Sequence, residues 1–585
     1  MRGLKALGVS DFVLCPGSRS APLAIAAGGL SKSSEINLFT AIDERSAGFL
    51  AVGLAAARGR ASLVITTSGT AVGNLLPAAI EADRSCIPII FITADRPSRL
   101  KNCGSNQTVN QEDFLKAVSR SVLSGPAEGV HKLDSDSLRE LLLKTCNSPG
   151  LPPGPIHFNL PIEEPLYPSL VHQKEVWEGW KPSSFYLNNY CPEIPDHIDE
   201  QEPSVFTELD ASHPGIVIAG PWRGSPRKLK NYQKCLERWH EISGWPIFAD
   251  PLSGISFTQK GLIKYWELIL SCEVDFSIQG LQILRLGPLP ASKILEHWLS
   301  NVTAKQILIT EDDDRPLDPL KLASQYSKGF ANWFDFFLNN PLKNDKSNIN
   351  KSSKELTTKI LSFDKEVDLL LSNIFTLENN ISEPLLAYSI PKIAPIDISI
   401  MLSASSPVRD WITFSGSDIK SRRCFSFRGA SGIDGTLSLA EGLASSLGPT
   451  LLITGDLALL HDTNAWLFAQ SNRIPLIVLL IDNEGGGIFT KLNSEPLYKG
   501  DFDELFIMHQ SVDLIELASA YKIPTREITC FNDLKPSLDW GFAQKRTVLL
   551  RVSTNSSKDN SLRNNILDNV YTQIRSSITK TTNHS

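Results

Sequence analysis

The sequence predicts an α/β protein of about three domains, each built on a mostly parallel sheet flanked by helices. Short apolar runs alternate with longer stretches of helical spacing, as is typical of strand–helix–strand units. The apolar runs are continuous, which indicates strands that helices cover on both faces. A chain of 585 residues is too long for a single hydrophobic core, so several domains are expected.

The predicted strands fall into three blocks. In the first block they are Phe12–Cys15, Ser62–Thr66, Ile87–Ile92 and Ile156–Leu160. In the second block they are Gly215–Ala219, Pro246–Ala249, Ile283–Leu286 and Gln306–Thr310. In the third block they are Trp411–Phe414, Thr450–Thr454, Leu476–Ile481 and Thr547–Val552. The Ala- and Leu-rich stretch Glu44–Arg58 has the spacing of a helix.

Two stretches of distinct composition separate the three blocks. Pro165–Pro203, rich in Pro, Trp and Tyr, is interpreted as a long connection. Asn339–Glu355 is dominated by Asn, Lys and Ser, a composition that buries too little apolar surface for a core and indicates a linker. We therefore expect domains at residues 1–175, 200–340 and 375–555, followed by a C-terminal helix and polar tail at 556–585.

The bulk composition excludes several classes of protein. The apolar fraction of 42% and charged fraction of 21% are ordinary for a globular protein, and a net charge of −7 argues against a general nucleic-acid surface. No apolar run approaches the roughly 20 residues of a membrane span, and no secretory leader precedes Phe12–Cys15. Nine cysteines without a Cys-x-x-Cys pair fit reduced thiols. A soluble, cytoplasmic protein is expected.

Glycines and oxygen-bearing side chains follow two predicted strands of the third block. Asp456 comes after Gly455 at the end of one, and Asn483 precedes three glycines that begin at Gly485 at the end of the other. Mg²⁺ prefers oxygen ligands that a phosphate completes, and bare glycines let the backbone approach a diphosphate. Each feature alone is ordinary loop chemistry. Together they resemble the thiamine diphosphate motif, Gly-Asp-Gly followed by Asn, with Leu457 in place of the third residue.

A carboxyl group opens the predicted helix of the first block. Asp43-Glu44-Arg45 begins the stretch that runs to Arg58, and a glutamate at this place is usually only a favourable partner for the helix dipole. Thiamine enzymes of this architecture have their catalytic glutamate at the corresponding position, where its carboxyl faces the aminopyrimidine N1′. Glu44 is therefore the candidate for that role.

Short motifs in blocks one and three carry a more specific resemblance. They are Cys15-Pro-Gly-Ser-Arg-Ser20, Asp43-Glu-Arg45, Thr67-Ser-Gly-Thr-Ala71, Thr93-Ala-Asp-Arg-Pro97, Cys103-Gly-Ser-Asn-Gln107, Ser405-Ser-Pro-Val-Arg409, Arg428-Gly-Ala-Ser-Gly-Ile-Asp-Gly435, Gly455-Asp456 and Asn483-Glu-Gly-Gly-Gly-Ile-Phe489. With them the sequence resembles the 2-succinyl-5-enolpyruvyl-6-hydroxy-3-cyclohexene-1-carboxylate synthase family. The motifs that begin at Cys15 and at Arg428 are the most specific, because other thiamine enzymes lack them. Block two matches the family only weakly.

The resemblance implies a thiamine-diphosphate-dependent transferase of menaquinone or phylloquinone biosynthesis. Such an enzyme decarboxylates 2-oxoglutarate and adds the succinyl unit to isochorismate, using Mg²⁺, for which Mn²⁺ can substitute. Residues 1–175 would bind the pyrimidine, and residues 375–555 the diphosphate and metal. Family sites lie between the first domain of one chain and the third domain of another, so a homodimer or higher homo-oligomer is expected.

The resemblance also assigns roles to single residues. The two substrates carry four carboxylates, which arginine binds well because its guanidinium is bidentate. The implied catalytic residues are Glu44, Gln107, Ser18 and Arg19. The implied cofactor-binding residues are Glu44, Gly69, Ser405, Ile433, Asp456, Asn483 and Gly485, of which the last three hold the metal. The implied substrate-binding residues are Ser18, Arg19, Arg96, Asn106, Gln107, Lys293, Ser405, Arg409, Arg428, Ile488, Phe489 and Leu492.

Three departures from the family pattern accompany these assignments. Ile294 follows Lys293 where some members have a Lys-Arg pair, Ala404 replaces a common asparagine, and the leading helix looks shortened.

The nearest alternative is another thiamine-diphosphate-dependent decarboxylase or carboligase of the acetolactate-synthase type. Such an enzyme needs fewer arginines, and a flavin-binding middle domain would favour it. A catalytically silent binding protein with this fold would have lost Glu44, Asp456 or Asn483, and all three are present.

Overall fold

A computed structural model describes most of the chain. The described residues are 1–127, 129–146, 151–178, 209–256, 258–274, 276, 278–339, 351–378, 380–416, 422–470, 474–491 and 499–582. Among these residues no helix combines the length and the apolar character that crossing a membrane requires.

The first sheet has six parallel strands in the order β2-β1-β3-β4-β6-β5. These strands are β1 (Asp11–Leu14), β2 (Asn37–Thr40), β3 (Ser62–Thr66), β4 (Ile89–Asp95), β5 (Ser121–Ser124) and β6 (Pro155–Pro161). The helices of this region are α1 (Arg2–Ala6), α2 (Ala21–Lys32), α3 (Glu44–Arg58), α4 (Thr70–Gly73), α5 (Leu76–Arg84), α6 (Ser135–Cys146) and α7 (Leu170–Glu178).

The second sheet has the order β12-β11-β10-β7-β8-β9, again parallel. Its strands are β7 (Gly215–Ala219), β8 (Ile247–Ala249), β9 (Leu262–Ile263), β10 (Gln282–Leu286), β11 (Lys305–Ile309) and β12 (Ala323–Tyr326). Its helices are α8 (Pro226–Ser243), α9 (Trp266–Ser271), α10 (Lys293–Asn301) and α11 (Phe330–Asn339).

The third sheet has the order β14-β13-β15-β16-β18-β17, which repeats the strand order of the first sheet. Its strands are β13 (Ser399–Leu402), β14 (Cys424–Ser426), β15 (Thr450–Gly455), β16 (Leu476–Asp482), β17 (Thr525–Ile528) and β18 (Val548–Ser553). The helices are α12 (Lys351–Leu377), α13 (Glu383–Ile393), α14 (Ser406–Phe414), α15 (Thr436–Leu447), α16 (Asp456–His461), α17 (Lys499–Phe502), α18 (Leu514–Ala520), α19 (Leu534–Ala543) and α20 (Ser556–Thr582).

The chain divides into two compact units. Unit 1 comprises Met1–Asp199, Phe427–Thr450 and Ala458–Leu476, and therefore contains the first sheet together with α15. Within it α3 and α15 pack backbone to backbone. A Cβ on Gly53 would lie 2.2 Å from the carbonyl oxygen of Leu439, and one on Gly442 would lie 2.3 Å from that of Leu50. Only glycine permits this close approach.

Unit 2 comprises Glu200–Ser426, Leu451–Leu457 and Ile477–Ser585. One apolar cluster joins the second sheet to α12, α14 and α20, through side chains that include Ile283, Ile360, Phe414 and Val570. A separate cluster lies under the third sheet. The long helices α12 and α20 thus share a core with the central sheet.

Most of the predicted strands are confirmed, two of them, Ser62–Thr66 and Gly215–Ala219, to the residue. Trp411–Phe414 is wrong as a strand, because it forms the last turn of α14, where Val408, Trp411 and Ile412 share the buried face. Lys351–Glu355 is wrong as a linker, because these residues form the first turns of α12; residues 340–350 lie outside the described part. The predicted connection at 165–203 contains α7, and its residues from 179 onward are not described.

Candidate active site

Glu44 is the first residue of α3 in unit 1. Asp43 caps the helix, since its carboxylate accepts the backbone N–H groups of Arg45 at 2.9 Å and Ser46 at 3.2 Å. The Glu44 side chain is half-buried and lines a cleft of about 380 Å³ together with Asn74 and Asn464. A helix N-terminus opening into a cleft is a suitable place for a functional carboxyl group.

Residues 461–464 hold this helix N-terminus in place. Arg45 donates to the carbonyl oxygen of His461 at 2.7 Å, and Asn464 donates to the Asp43 carboxylate at 2.9 Å. Burial works to raise the pKa of Asp43, but the hydrogen bonds from Asn464 and from the backbone outweigh it and hold that pKa below its usual value. These contacts of Asp43 and Arg45 with residues 461–464, here called the clamp, could not be predicted from the sequence, because they join residues about four hundred positions apart.

Asp462 is the buried centre of the clamp. Its carboxylate accepts the Ser438 N–H at 2.7 Å, the Ser438 hydroxyl at 3.1 Å and the Ser46 hydroxyl at 3.2 Å. Burial raises the pKa of Asp462 to about 6, against the opposing effect of these hydrogen bonds. Asp462 thereby links α3 to α15 close to Glu44.

The loops after β3 and β4 bring together three residues of the predicted site. Gly69 has φ +82°, and a Cβ there would lie 2.8 Å from Cγ of Gln107. The Gln107 amide donates to the Ser68 carbonyl oxygen at 2.8 Å, and the Arg96 guanidinium donates to the Ser68 hydroxyl. Gly69, Arg96 and Gln107 therefore come together around one residue, Ser68.

A second guanidinium, that of Arg19, lies near Arg96. Arg19 is buried, donates to the carbonyl oxygen of Ile162 at 2.9 Å, and pairs with Glu164 at 3.5 Å. The pKa of Arg96 is lowered, first by burial and then by the positive charge of Arg19. Two neighbouring cations at the carboxyl edge of a parallel sheet favour an anionic ligand.

The other site residues predicted in unit 1 lie on loops. Ser18 and Asn106 are exposed, while Arg428 and Ile433 are half-buried in the segment between β14 and α15. The loop of Ser18 lies beside the loop after β3, because a Cβ on Gly17 would come within 2.3 Å of Cβ of Thr67.

Asp456, Asn483 and Gly485 come together in unit 2, where β15 and β16 are neighbours in the sheet. The Asp456 carboxylate accepts the Gly485 N–H at 2.6 Å and the Leu457 N–H at 2.7 Å. Burial raises the pKa of Asp456 to about 7, with Asp482 adding to the effect.

The amide of Asn483 is satisfied on one side only. Its nitrogen donates to Glu383 at 2.7 Å, and its buried oxygen Oδ1 has no hydrogen-bond partner. A buried carboxylate beside a buried, unpaired amide oxygen is a donor set that fits a hard cation. Among the described residues no group of three or more His, Cys, Asp or Glu is arranged to hold a metal, so a cation here would also need carbonyl and phosphate oxygens.

The remaining predicted residues of unit 2 are spread more widely. Ser405 caps α14 with φ +74°, and its carbonyl oxygen accepts from the exposed Arg409 at 2.7 Å. Ile488 and Phe489 lie on the short 3₁₀ turn Gly487–Lys491, and the Phe489 ring stands 5.8 Å from that of Phe506. Leu492 lies outside the described residues.

Lys293 is not brought into any of these clusters. Its side chain is 92% exposed and pairs with Glu296 at 2.7 Å, while the adjacent Ile294 packs against the core of unit 2. Its role in substrate binding stays a prediction.

Comparison with known proteins gives two family matches and many full-length relatives. Residues 1–117 match the N-terminal TPP binding domain of thiamine pyrophosphate enzymes, and residues 419–552 match the C-terminal one.

Curated relatives named 2-succinyl-5-enolpyruvyl-6-hydroxy-3-cyclohexene-1-carboxylate synthase include one from Prochlorococcus marinus strain SARG, 50% identical over 97% of this chain and 99% of its own length. Another, from Prochlorococcus marinus strain NATL2A, is 47% identical over 97% of this chain and 95% of its own length. A third, from a Synechococcus species, is 48% identical over 97% and 98% of the two chains. Because such relatives align over nearly the whole of both chains, this protein belongs to the 2-succinyl-5-enolpyruvyl-6-hydroxy-3-cyclohexene-1-carboxylate synthase family of thiamine pyrophosphate enzymes.

Proposed function

We propose that the protein decarboxylates 2-oxoglutarate with thiamine diphosphate and transfers the succinyl unit to isochorismate. The products are 2-succinyl-5-enolpyruvyl-6-hydroxy-3-cyclohexene-1-carboxylate and CO₂, a step of menaquinone or phylloquinone biosynthesis. The observation that supports the choice of substrate class is the neighbouring pair Arg19 and Arg96, since two guanidinium groups at one edge of the sheet favour a ligand that carries carboxylate groups.

The cofactor assignment rests on the third sheet. Asp456, Asn483 through its unpaired Oδ1, and the Gly485 carbonyl would hold Mg²⁺ or Mn²⁺. A positive charge there would also favour the ionised form of Asp456, which burial disfavours. Gly485 has φ +131°, and a Cβ there would lie 2.2 Å from the Ile507 carbonyl oxygen, so this turn requires glycine.

Glu44 is the proposed catalytic carboxyl group. Thiamine diphosphate, when bound, supplies a nucleophilic carbon for decarboxylation and carbon–carbon bond formation. Glu44 would hold a proton at the aminopyrimidine N1′, and the clamp of Asp43, Asp462 and Asn464 would keep its carboxyl in position. Gln107 and Ser18 would bind the reacting groups, and Arg19 would orient a substrate carboxylate.

The remaining substrate contacts complete the proposal. Arg428, Arg409, Asn106 and Ser405 would bind carboxylate and hydroxyl groups, with Lys293 at the periphery. Ile433 would support the cofactor, and Ile488, Phe489 and Leu492 would contact the isochorismate ring. The exposed rings of Phe489 and Phe506, 39% and 42% accessible, are suited to an apolar contact of this kind.

We also propose a homodimer or higher homo-oligomer, in which residues 1–175 of one protomer and residues 375–555 of its partner build each site. A cytoplasmic location belongs to the same proposal, because the seven cysteines whose side chains are described are free thiols. Sedimentation of the purified protein at micromolar concentration tests the assembly.

The central sheet argues against the acetolactate-synthase-type alternative. At the carboxyl ends of β7 and β10, where an open parallel sheet binds nucleotides, the cavity measures only about 20 Å³. A Cβ on Gly220 would lie 1.6 Å from the Pro288 carbonyl oxygen, so the two loops touch through their backbones. These loops therefore leave little room for a flavin nucleotide at the ends of β7 and β10.

The deciding experiment follows isochorismate consumption by absorbance with thiamine diphosphate, Mg²⁺ and 2-oxoglutarate. We expect consumption only with all components present, and its loss in Glu44→Gln. An exposed glutamate of the same unit, changed as Glu163→Gln, provides the control and should retain activity. CO₂ release from pyruvate without isochorismate consumption would overturn the proposal in favour of the carboligase alternative.

A further inference from the structure

Glu81 binds a loop that lies about 350 positions further along the chain. Its buried carboxylate on α5 accepts three consecutive backbone N–H groups, those of Gly429 at 2.8 Å, Ala430 at 2.7 Å and Ser431 at 3.2 Å. The Ser85 hydroxyl donates a fourth hydrogen bond at 2.7 Å. All of these residues belong to unit 1.

The loop also lies close to the backbone of α5 and has a constrained conformation. A Cβ on Gly429 would lie 2.7 Å from the Glu81 carbonyl oxygen, and Ser431 has a left-handed φ of +60°. Consecutive N–H groups that converge in this way form a concave anion site. Within the described residues no lysine or arginine pairs with Glu81, so the loop amides are the main compensation for its negative charge.

Phe49 contacts both ends of the same loop. A Cβ on Gly435 would lie 2.0 Å from Cγ of Phe49, and the Phe427 ring packs edge-on against Phe49 at 5.7 Å. Phe49 belongs to α3, the helix that Glu44 opens. The segment 427–435 is therefore attached at both ends to helices of the first sheet.

We propose that Glu81 is a positioning residue that sets the segment 427–435, and with it Arg428, for binding a substrate carboxylate. The inference rests on the role proposed above for Arg428. Arg428 directly precedes the three amides that Glu81 binds, whereas Ile433 follows them and lies two residues before Gly435. Loss of the carboxylate should therefore displace Arg428 more than Ile433.

Asp83 offers a matched control on the same helix. It is also buried, at 7% exposure, but its carboxylate pairs with the guanidinium of Arg120. The variants Glu81→Ala, Glu81→Gln and Asp83→Asn thus separate a general loss of stability from a displacement of this loop.

Hydrogen exchange of full-length protein loaded with thiamine diphosphate and Mg²⁺ gives a readout that is independent of turnover. Glu81→Ala should speed exchange of the Gly429–Ser431 amides by about tenfold or more, because each loses a charge-assisted hydrogen bond. Glu81→Gln should give a smaller increase, and Asp83→Asn none. Unchanged exchange in Glu81→Ala overturns the inference whether or not the proposed reaction is correct.

Steady-state kinetics test whether Glu81 positions Arg428 for substrate binding. Glu81→Ala should raise the KM of isochorismate or 2-oxoglutarate by about tenfold, with a smaller fall in kcat and less than about a threefold change in thiamine diphosphate Kd. Glu81→Gln should restore part of the KM. If Glu81→Ala had the same KM as Asp83→Asn, Glu81 would be only a structural residue. If the wild type failed to turn over, the proposed function would be refuted instead.

Discussion

A hydrogen bond of 2.7 Å joins the amide nitrogen of Asn483 to the carboxylate of Glu383, and it leaves Asn483 Oδ1 buried without a partner. Glu383 is fixed in turn by Arg563, which bonds Glu383 at 2.6 Å and also binds Asp410. The amide of Asn483 is thereby held in one orientation. The orphaned oxygen is then available to a cation beside Asp456.

This relationship predicts that Glu383→Gln weakens metal binding. A glutamine can present its own NH₂ group to Asn483, which removes the reason for one amide orientation. We expect Mg²⁺ affinity, titrated calorimetrically in the presence of thiamine diphosphate, to fall by about tenfold, as is common when a residue supporting a ligand is changed. Glu527→Gln, an exposed carboxylate near Arg551, should leave the affinity unchanged. Equal affinities in both variants would contradict the orienting role of Glu383.

The buried Asp462 predicts a pH-dependent stability. Its pKa of about 6 in the folded protein lies above the ordinary 3.8, because burial disfavours the carboxylate. Protonated Asp462 therefore contributes its full stabilisation below about pH 4. The free energy of unfolding then falls by about 3 kcal/mol as the pH rises from about 4 to about 6.

The measurement compares the Tm of wild type and Asp462→Asn from pH 4.5 to 7.5. The variant carries no charge at this position, so its Tm relative to wild type should rise between pH 4.5 and 6 and then stay level. Asp539→Asn, exposed and paired with Lys535 at 2.6 Å, should show no such trend. A difference independent of pH would show that Asp462 is ionised throughout.

Ser405 predicts opposite changes in stability and activity. Its backbone, with φ +74° and ψ −134°, lies in a region that only glycine adopts without strain. Ser405→Gly should stabilise the protein by about 1 kcal/mol, seen as a higher Tm, while loss of the hydroxyl lowers activity. The adjacent Ser406→Gly, inside α14, should lower stability by about 0.5 kcal/mol. A rise in both Tm and activity for Ser405→Gly would remove Ser405 from the proposed site.

The fold could be predicted from the sequence because its signals are local. Apolar runs such as Gly215–Ala219 are buried throughout and bounded by turn residues, and the structure has the same limits. The prediction of a strand at Trp411–Phe414 was wrong because a short run of aromatic and β-branched residues fits either a strand or a helix. The spacing from Val408 to Trp411 and Ile412, behind a proline at the helix start, would have indicated α14.

The supporting residues of the candidate site could not be predicted in the same way. Glu81, Asp462 and Glu383 belong to no motif and are surrounded by ordinary helix sequence. Each of these carboxylates accepts a hydrogen bond from a donor about 100 to 420 positions away, which only the folded chain brings to it. Motifs mark groups that chemistry requires at fixed spacing, whereas residues that orient those groups can come from any packed element.

The pair Arg19 and Arg96 predicts how the protein binds acidic substrates. Burial and the positive charge of Arg19 both lower the pKa of Arg96, and a bound carboxylate would offset this cost of burying the Arg96 charge. Arg96→Gln should therefore raise the KM of an acidic substrate by about tenfold or more, which corresponds to one lost charge-assisted hydrogen bond.

Arg99→Gln is the matched control, because Arg99 lies on the same loop but is exposed and binds Glu163 at 2.7 Å. Increasing salt should weaken substrate binding in wild type more steeply than in Arg96→Gln, since one attractive charge has been removed. An unchanged KM in Arg96→Gln, or an equal rise in Arg99→Gln, would show that this arginine pair does not bind the substrate.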